Sequence, residues 1–235
     1  MFYGLGYYWD PTYFLVVIGM LICLLASGLV NSTMNRFSQV YNMANLTGAE
    51  AARRILHNEG LYDVQVECLP NNKGDHYDPK SKTVRLSAIN YNGASVTAVS
   101  VAAHECGHAL QHAKAYTPLV IRTALVPVVN IGSTIGMPLI LIGVLLSWNQ
   151  TLIQIGIWAF ALSLLFQLVT LPVEFNASRR AVQRIDEYGL LTKEENRGCK
   201  KVLRAAAFTY VAAAASSALQ LLRLVLLFGG RRRRD

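Results

Sequence analysis

The sequence predicts a mainly α-helical membrane protein in which transmembrane helices carry a small α+β insert. Two observations on the whole chain predict it. Of 235 residues, 53% are apolar and only 15% charged, where a soluble domain carries about 25% charged residues. The charges are also segregated: Tyr13–Val30, Thr123–Val173 and Ala205–Leu222 hold no Asp, Glu, Lys or Arg. A third observation marks the insert, where helix-capping and strand patterns appear between the first two apolar stretches.

Residues 1–30 read as an N-terminal transmembrane helix. Tyr13–Val30 approaches the roughly 20 apolar residues that a helical span needs. Met1–Thr12 holds Asp10 and no basic residue, so the segment lacks the basic start of a cleaved signal peptide. Residues 31–118 form the insert. Thr47-Gly48-Ala49-Glu50 is a capping box that opens a helix reaching about Asn58. Val64–Leu69 and Thr83–Ser87 alternate as strands, separated by turn residues Asn71, Asn72, Gly74, Asp78 and Pro79. Thr83–Ala88 is expected to be an edge strand able to align an extended chain by β-addition. Ser95 caps a second helix reaching about Ala113.

Residues 119–173 read as a transmembrane hairpin. Its uncharged stretch of 51 residues is too long for one crossing and fits two, joined at Ser147-Trp148-Asn149-Gln150, with Pro127 and Pro138 inside the first. Residues 174–204 form a polar helical segment, and 205–235 a further spanning or membrane-packed helix with the basic tail Arg231–Arg234. The chain carries +8, which in a membrane protein points to topology and anionic lipid, not to nucleic acid. Asn31–Leu119 and Glu174–Arg204 each hold eight Lys/Arg. The positive-inside rule therefore places both on the cytoplasmic side and the N-terminus outside. Four spans would leave the Arg tail outside; three spans and a surface helix would keep it inside. Four scattered cysteines without a Cys-x-x-Cys pair suggest no disulfide framework.

The second helix of the insert contains His104-Glu105-Cys106-Gly107-His108. Residues i and i+4 lie about 40° apart around a helix axis and about 6 Å along it. Two imidazoles so placed can converge on one tetrahedral Zn²⁺, and Glu105 can accept the proton of a water and return it to a leaving amine. A catalytic zinc usually has a third protein ligand. His112 lies about 12 Å of axial rise from His104, too far for the same ion. His76, in a loop, and Glu174 remain. A hairpin returns the chain to the face it left, so Glu174, immediately after it, meets the two histidines at one membrane face. A carboxylate there is costly unless it is paired or ligates a cation, and pairing with Arg179 or Arg180 is the ordinary alternative. Ser178, at i+4 from Glu174, can hydrogen-bond a ligand histidine or simply its own backbone. His76, Tyr77 and Arg179 are candidate donors to the oxyanion of the reaction. Cys106 points away from this face as a small buried residue.

The chain resembles the YugP-type neutral zinc metallopeptidases of bacterial membranes. The resemblance rests on Leu46–Arg53, Asp75–Pro79, Ala102–His112, Thr170–Ala181 and Ala205–Ala214, which cover most of the chain in order. It implies a membrane gluzincin with a zincin-like catalytic insert, distantly similar to CAAX-prenyl-protease-like peptidases. One Zn²⁺ per chain would be held by His104, His108 and Glu174, with Glu105 as the catalytic residue. Those relatives carry Glu-x-x-x-Asp where this chain has Glu174 and Ser178. The expected setting is a multi-pass protein of the bacterial plasma membrane with a cytoplasmic site, the lipid bilayer and a peptide or membrane-protein substrate as partners, and no nucleic acid. Two other classes fit the same residues: an intramembrane (site-2-type) zinc protease and a non-catalytic zinc-binding membrane scaffold.

Overall fold

The computed structural model describes residues 10–70 and 74–228. The Arg231–Arg234 tail and the turn residues Asn71 and Asn72 lie outside the described residues. The elements run α1 (Tyr13–Ser38), α2 (Gly48–Asn58), β1 (Gln65–Leu69), β2 (His76–Asp78), β3 (Thr83–Ser87), α3 (Ala88–Asn92), α4 (Val96–Ala113), α5 (Thr117–Leu145), α6 (Gln150–Glu187) and α7 (Lys193–Phe228). The chain is a mainly helical membrane protein with a small α+β part. Among the described residues, four helices, α1, α5, α6 and α7, are long and apolar enough to cross a bilayer. The chain divides into two compact units.

The first unit comprises residues 1–25, 126–167 and 212–235. Its described helices expose Phe14, Leu24, Ile131, Leu141 and Trp158, the side chains a lipid environment solvates. Small residues let α5 and α6 meet: a Cβ on Gly156 would lie 2.6 Å from the Gly136 carbonyl oxygen, the close backbone approach typical of membrane helix pairs. Between them the chain reverses with Ser147 and Trp148 at φ of 54° and 63°. Gln167 Nε2 donates to Ser217 Oγ at 2.9 Å, a polar link between α6 and α7. Arg223 on α7 lies 3.4 Å from Asp10 and stacks over the Tyr13 ring. This pairing offsets the charge that interrupts the apolar run of α7.

The second unit comprises residues 26–125 and 168–211. Its core is built on α2 and α4. Ala51, Ala52, Ile55 and Leu56 of α2 are buried together with Val99, Ala102, Ala103 and Cys106 of α4. The Thr47–Glu50 capping box is formed, and the Ser95 hydroxyl accepts from the Ala98 N–H. These caps satisfy N–H groups that would otherwise be orphaned at the two helix starts.

The sheet differs from the sequence expectation in two ways. Its strand order is β1-β3-β2, so Thr83–Ser87 is the middle strand and not an edge. β1 pairs with it in parallel and β2 in antiparallel. His76 accordingly opens a strand and does not lie in a loop. Beyond β2, the Ser87 N–H donates to Asp75 Oδ1 at 2.7 Å, so a carboxylate takes the place of a further strand residue. Three residues are too few for an alternation signal, which is why β2 was hidden among turn residues.

Candidate metal centre

α4 and α6 meet closely at one point of the second unit. A Cβ on Gly107 would stand 2.5 Å from the Ala177 carbonyl oxygen, so only glycine permits this approach. Its neighbours on either side of the crossing are His104 and His108 on α4, and Glu174 and Ser178 on α6. Cys106 turns the other way, fully buried, its thiol 3.7 Å from the Ala52 carbonyl oxygen.

The crossing brings three ligating groups together. His104 Nε2 and His108 Nε2 lie 3.3 and 3.7 Å from Glu174 Oε2. The donor atoms of these three residues all fall within 4.8 Å of one another. Ligands at about 2.0–2.1 Å from a tetrahedral ion stand roughly 3.3 Å apart, so the set is close to the spacing zinc requires. Two imidazole nitrogens and a carboxylate oxygen are also a donor set that suits zinc.

Hydrogen bonds turn the imidazoles inward. Gln111, wholly buried, donates its amide to the Val173 carbonyl at 2.7 Å and to Asn176 Oδ1 at 3.1 Å. Its Oε1 is thereby left to accept from His108 Nδ1–H at 3.0 Å. That tautomer leaves the Nε2 lone pair facing Glu174. Ser178 Oγ lies 3.2 Å from His104 Nδ1 and can fix the other ring in the same sense.

Glu174 is 3% exposed, and its Oε2 has no hydrogen-bond partner among the described residues. A buried carboxylate oxygen without a partner is expensive. A cation between it and the two Nε2 atoms would remove that cost, so the residues fit a metal ion. Arg122 Nη1 approaches the other oxygen, Oε1, at 3.7 Å. Burial opposes the charged form of His108, yet Glu174, Glu105 and Gln111 outweigh it and hold its pKa above the ordinary range. Proton and metal therefore compete for the same nitrogen.

Glu105, mostly buried, lines a cavity of about 180 Å³ together with Asp75, His104, Glu174, Ser178 and Tyr210. Among the described residues, His76, Tyr77 and Arg179 do not line it. His76 Nδ1 donates to the Gly74 carbonyl, Tyr77 bonds His112 Nδ1 at 2.9 Å, and Arg179 lies along a neighbouring groove. Sequence reasoning missed Gln111, Asn176, Arg122, Asp75 and Tyr210. Gln111 alone had a usable signal: a polar residue three positions after His108 shares its helix face.

Comparison with known proteins agrees with this geometry. The family described as "Putative neutral zinc metallopeptidase" matches residues 12–229. The chain is similar to the protein named "Putative membrane protease YugP" of Bacillus subtilis (strain 168), 48% identical over 200 residues, which are 85% of this chain and 88% of that protein. No solved structure gives a significant match. With four helices able to span a bilayer and a His-His-Glu cluster that fits zinc, the chain belongs to this family of neutral zinc metallopeptidases.

Proposed function

We propose that the protein is a gluzincin-type membrane endopeptidase that hydrolyses peptide bonds with one zinc ion per chain. The observation that carries the proposal is the buried Glu174 Oε2, which lacks a hydrogen-bond partner among the described residues and faces the inner nitrogens of His104 and His108. These three residues would hold the ion. When bound, zinc supplies Lewis acidity, lowering the pKa of a water and polarising a carbonyl.

The remaining chemistry belongs to the chain. The Glu105 carboxylate takes the proton of the attacking water and passes it to the leaving nitrogen, so that bond cleavage yields a neutral amine. Gln111 and Ser178 hold the ligand imidazoles in one orientation. Arg122 offsets part of the Glu174 charge and orients its carboxylate. Tyr210, which lines the same cavity, would donate its hydroxyl to oxygen atoms of the reacting group. Val101, Val202 and Leu203 line the rest of that wall and limit water.

The basic residues of 31–119 and 174–204 support a cytoplasmic site in a bacterial plasma membrane. Substrates would be peptides or membrane proteins whose exposed segments reach that face. Metal analysis and peptide digestion of the purified full chain test the proposal. Glu105→Gln is expected to retain about one zinc per chain and to lose roughly 10²–10⁴-fold in turnover. Wild-type protein that binds no zinc, or a Glu105→Gln variant that cleaves as fast as wild type, would refute it.

A further inference from the structure

A second hollow adjoins the metal cavity and shares Ser178, Leu203 and Ala207 with it. It has a volume of about 310 Å³ and runs between α6 and α7. Phe175, Val182, Leu203 and Ala207 give it an apolar lining. Three cations, Arg179, Lys200 and Arg204, stand around it, and no Asp or Glu lines it. All three are exposed, and among the described residues none of them forms an ion pair.

We propose that this groove is a substrate subsite beside the scissile bond, taking an apolar side chain with a carboxylate one or two residues away. The inference rests on the peptidase reading above and adds a substrate class to it. Continuity is the first argument. The hydroxyl that contacts His104 is also part of the groove, so a chain lying across the metal cavity meets the groove within one or two residues, at about 3.3 Å per residue extended. Charge is the second. Unpaired cations around an apolar trough favour an acidic neighbour and disfavour a basic one. The volume suits a side chain the size of Leu or Phe.

Binding tests this without depending on turnover. Full-length Glu105→Gln protein, zinc-loaded in neutral phosphatidylcholine nanodiscs, is titrated into fluorescent peptides that differ only in Leu-Asp against Leu-Asn. The Asp peptide is expected to bind about fivefold tighter, the effect of two or three partly exposed ion pairs. Adding Lys200→Gln and Arg204→Gln should abolish the difference, and the corresponding Glu changes should reverse it toward a Leu-Lys peptide. Both positions are exposed, and retained zinc content checks that the variants fold. Equal affinities for Asp and Asn peptides would overturn the assignment. So would displacement of the Asp peptide by phosphatidylglycerol in the disc without any effect on the Asn peptide, because the cations would then serve a lipid headgroup. The two readings fail separately. Wild-type cleavage with no Asp preference in binding removes the groove and keeps the peptidase; an Asp preference in binding with no cleavage does the reverse.

Discussion

Helix α4 carries His104, His108 and His112 at steps of four, and its middle and its last turn use them differently. In the middle the imidazoles are mostly buried, their outer nitrogens are engaged by Gln111 and Ser178, and their inner nitrogens face a carboxylate oxygen with no hydrogen-bond partner among the described residues. At the last turn the groups are exposed or half-buried and satisfy one another. Tyr77 bonds His112, Lys82 pairs with Asp63 at 2.6 Å, and Arg85 pairs with Asp78 at 2.8 Å. Imidazoles and carboxylates close together therefore do not suffice for a metal centre. The distinguishing feature is that the outer hydrogen bonds are complete while the inner atoms are left over.

The sharpest way to break this contrast is to remove the leftover acceptor. Glu174→Ala should lower zinc affinity by more than about a hundredfold and reduce peptide cleavage to background, read by competition with a chelating dye. His112→Ala should leave zinc affinity within about twofold, since that ring bonds Tyr77 and lies about 12 Å of helix rise from His104.

The next effect in size comes from the backbone crossing. Gly107→Val places atoms where the Ala177 carbonyl stands and must push α4 from α6. Overpacking of this kind costs about 1–3 kcal/mol. Because the displacement lies between the ligands, zinc affinity should fall by at least about tenfold, beyond any loss of thermal stability. A fall in melting temperature with unchanged zinc affinity would mean that the crossing does not set the ligand geometry.

Gln111→Leu attacks orientation alone. It removes the acceptor of His108 Nδ1–H and the side-chain donor to the Val173 carbonyl. Losses of this sort reduce metal affinity by about 10–100-fold. Ser178→Ala should do less, because it removes one contact, at 3.2 Å, where Gln111→Leu removes three hydrogen bonds.

These residues also mark how far the sequence could be read. The apolar stretches of α1, α5 and α6 were legible because an uncharged length is a property of the chain itself, whereas α7, interrupted by Arg223, left a spanning and a membrane-packed helix both open. The convergence of His104 and His108 was legible because one helix turn sets their spacing. Glu174 was within reach because a hairpin returns to its starting face. The role of Gln111 was not, since it depends on a carbonyl of α6 at a distance no local pattern encodes. The need for glycine at 107 was not legible either, because it comes from Ala177, 70 residues away. The sheet order was hidden for a related reason. Placing β3 in the middle depends on pairing with a three-residue strand, and the side on which it pairs is decided by tertiary packing.

The smallest effect tests the independence of these two parts of α4. Tyr77→Phe removes the hydroxyl that bonds His112 but none of the groups around Glu174, so zinc affinity at neutral pH should stay within about twofold. Its signature lies in alkali. Burial, and then the charges of Asp63 and Asp78, push the Tyr77 hydroxyl up to about 12. An unfolded chain releases that proton near about pH 10. The folded state thus holds the proton more tightly, and the resulting stability is complete below about pH 10 and disappears as the pH rises toward about 12. Wild-type protein should lose on the order of 1 kcal/mol more than Tyr77→Phe across that window, a figure reduced for the water around a half-buried ring. Other tyrosines and lysines titrate in both proteins and cancel in the difference. Thermal unfolding of the zinc-free protein in detergent at stepped pH measures it. A tenfold loss of zinc affinity in Tyr77→Phe would show instead that the exposed cluster helps hold the metal centre together through α4.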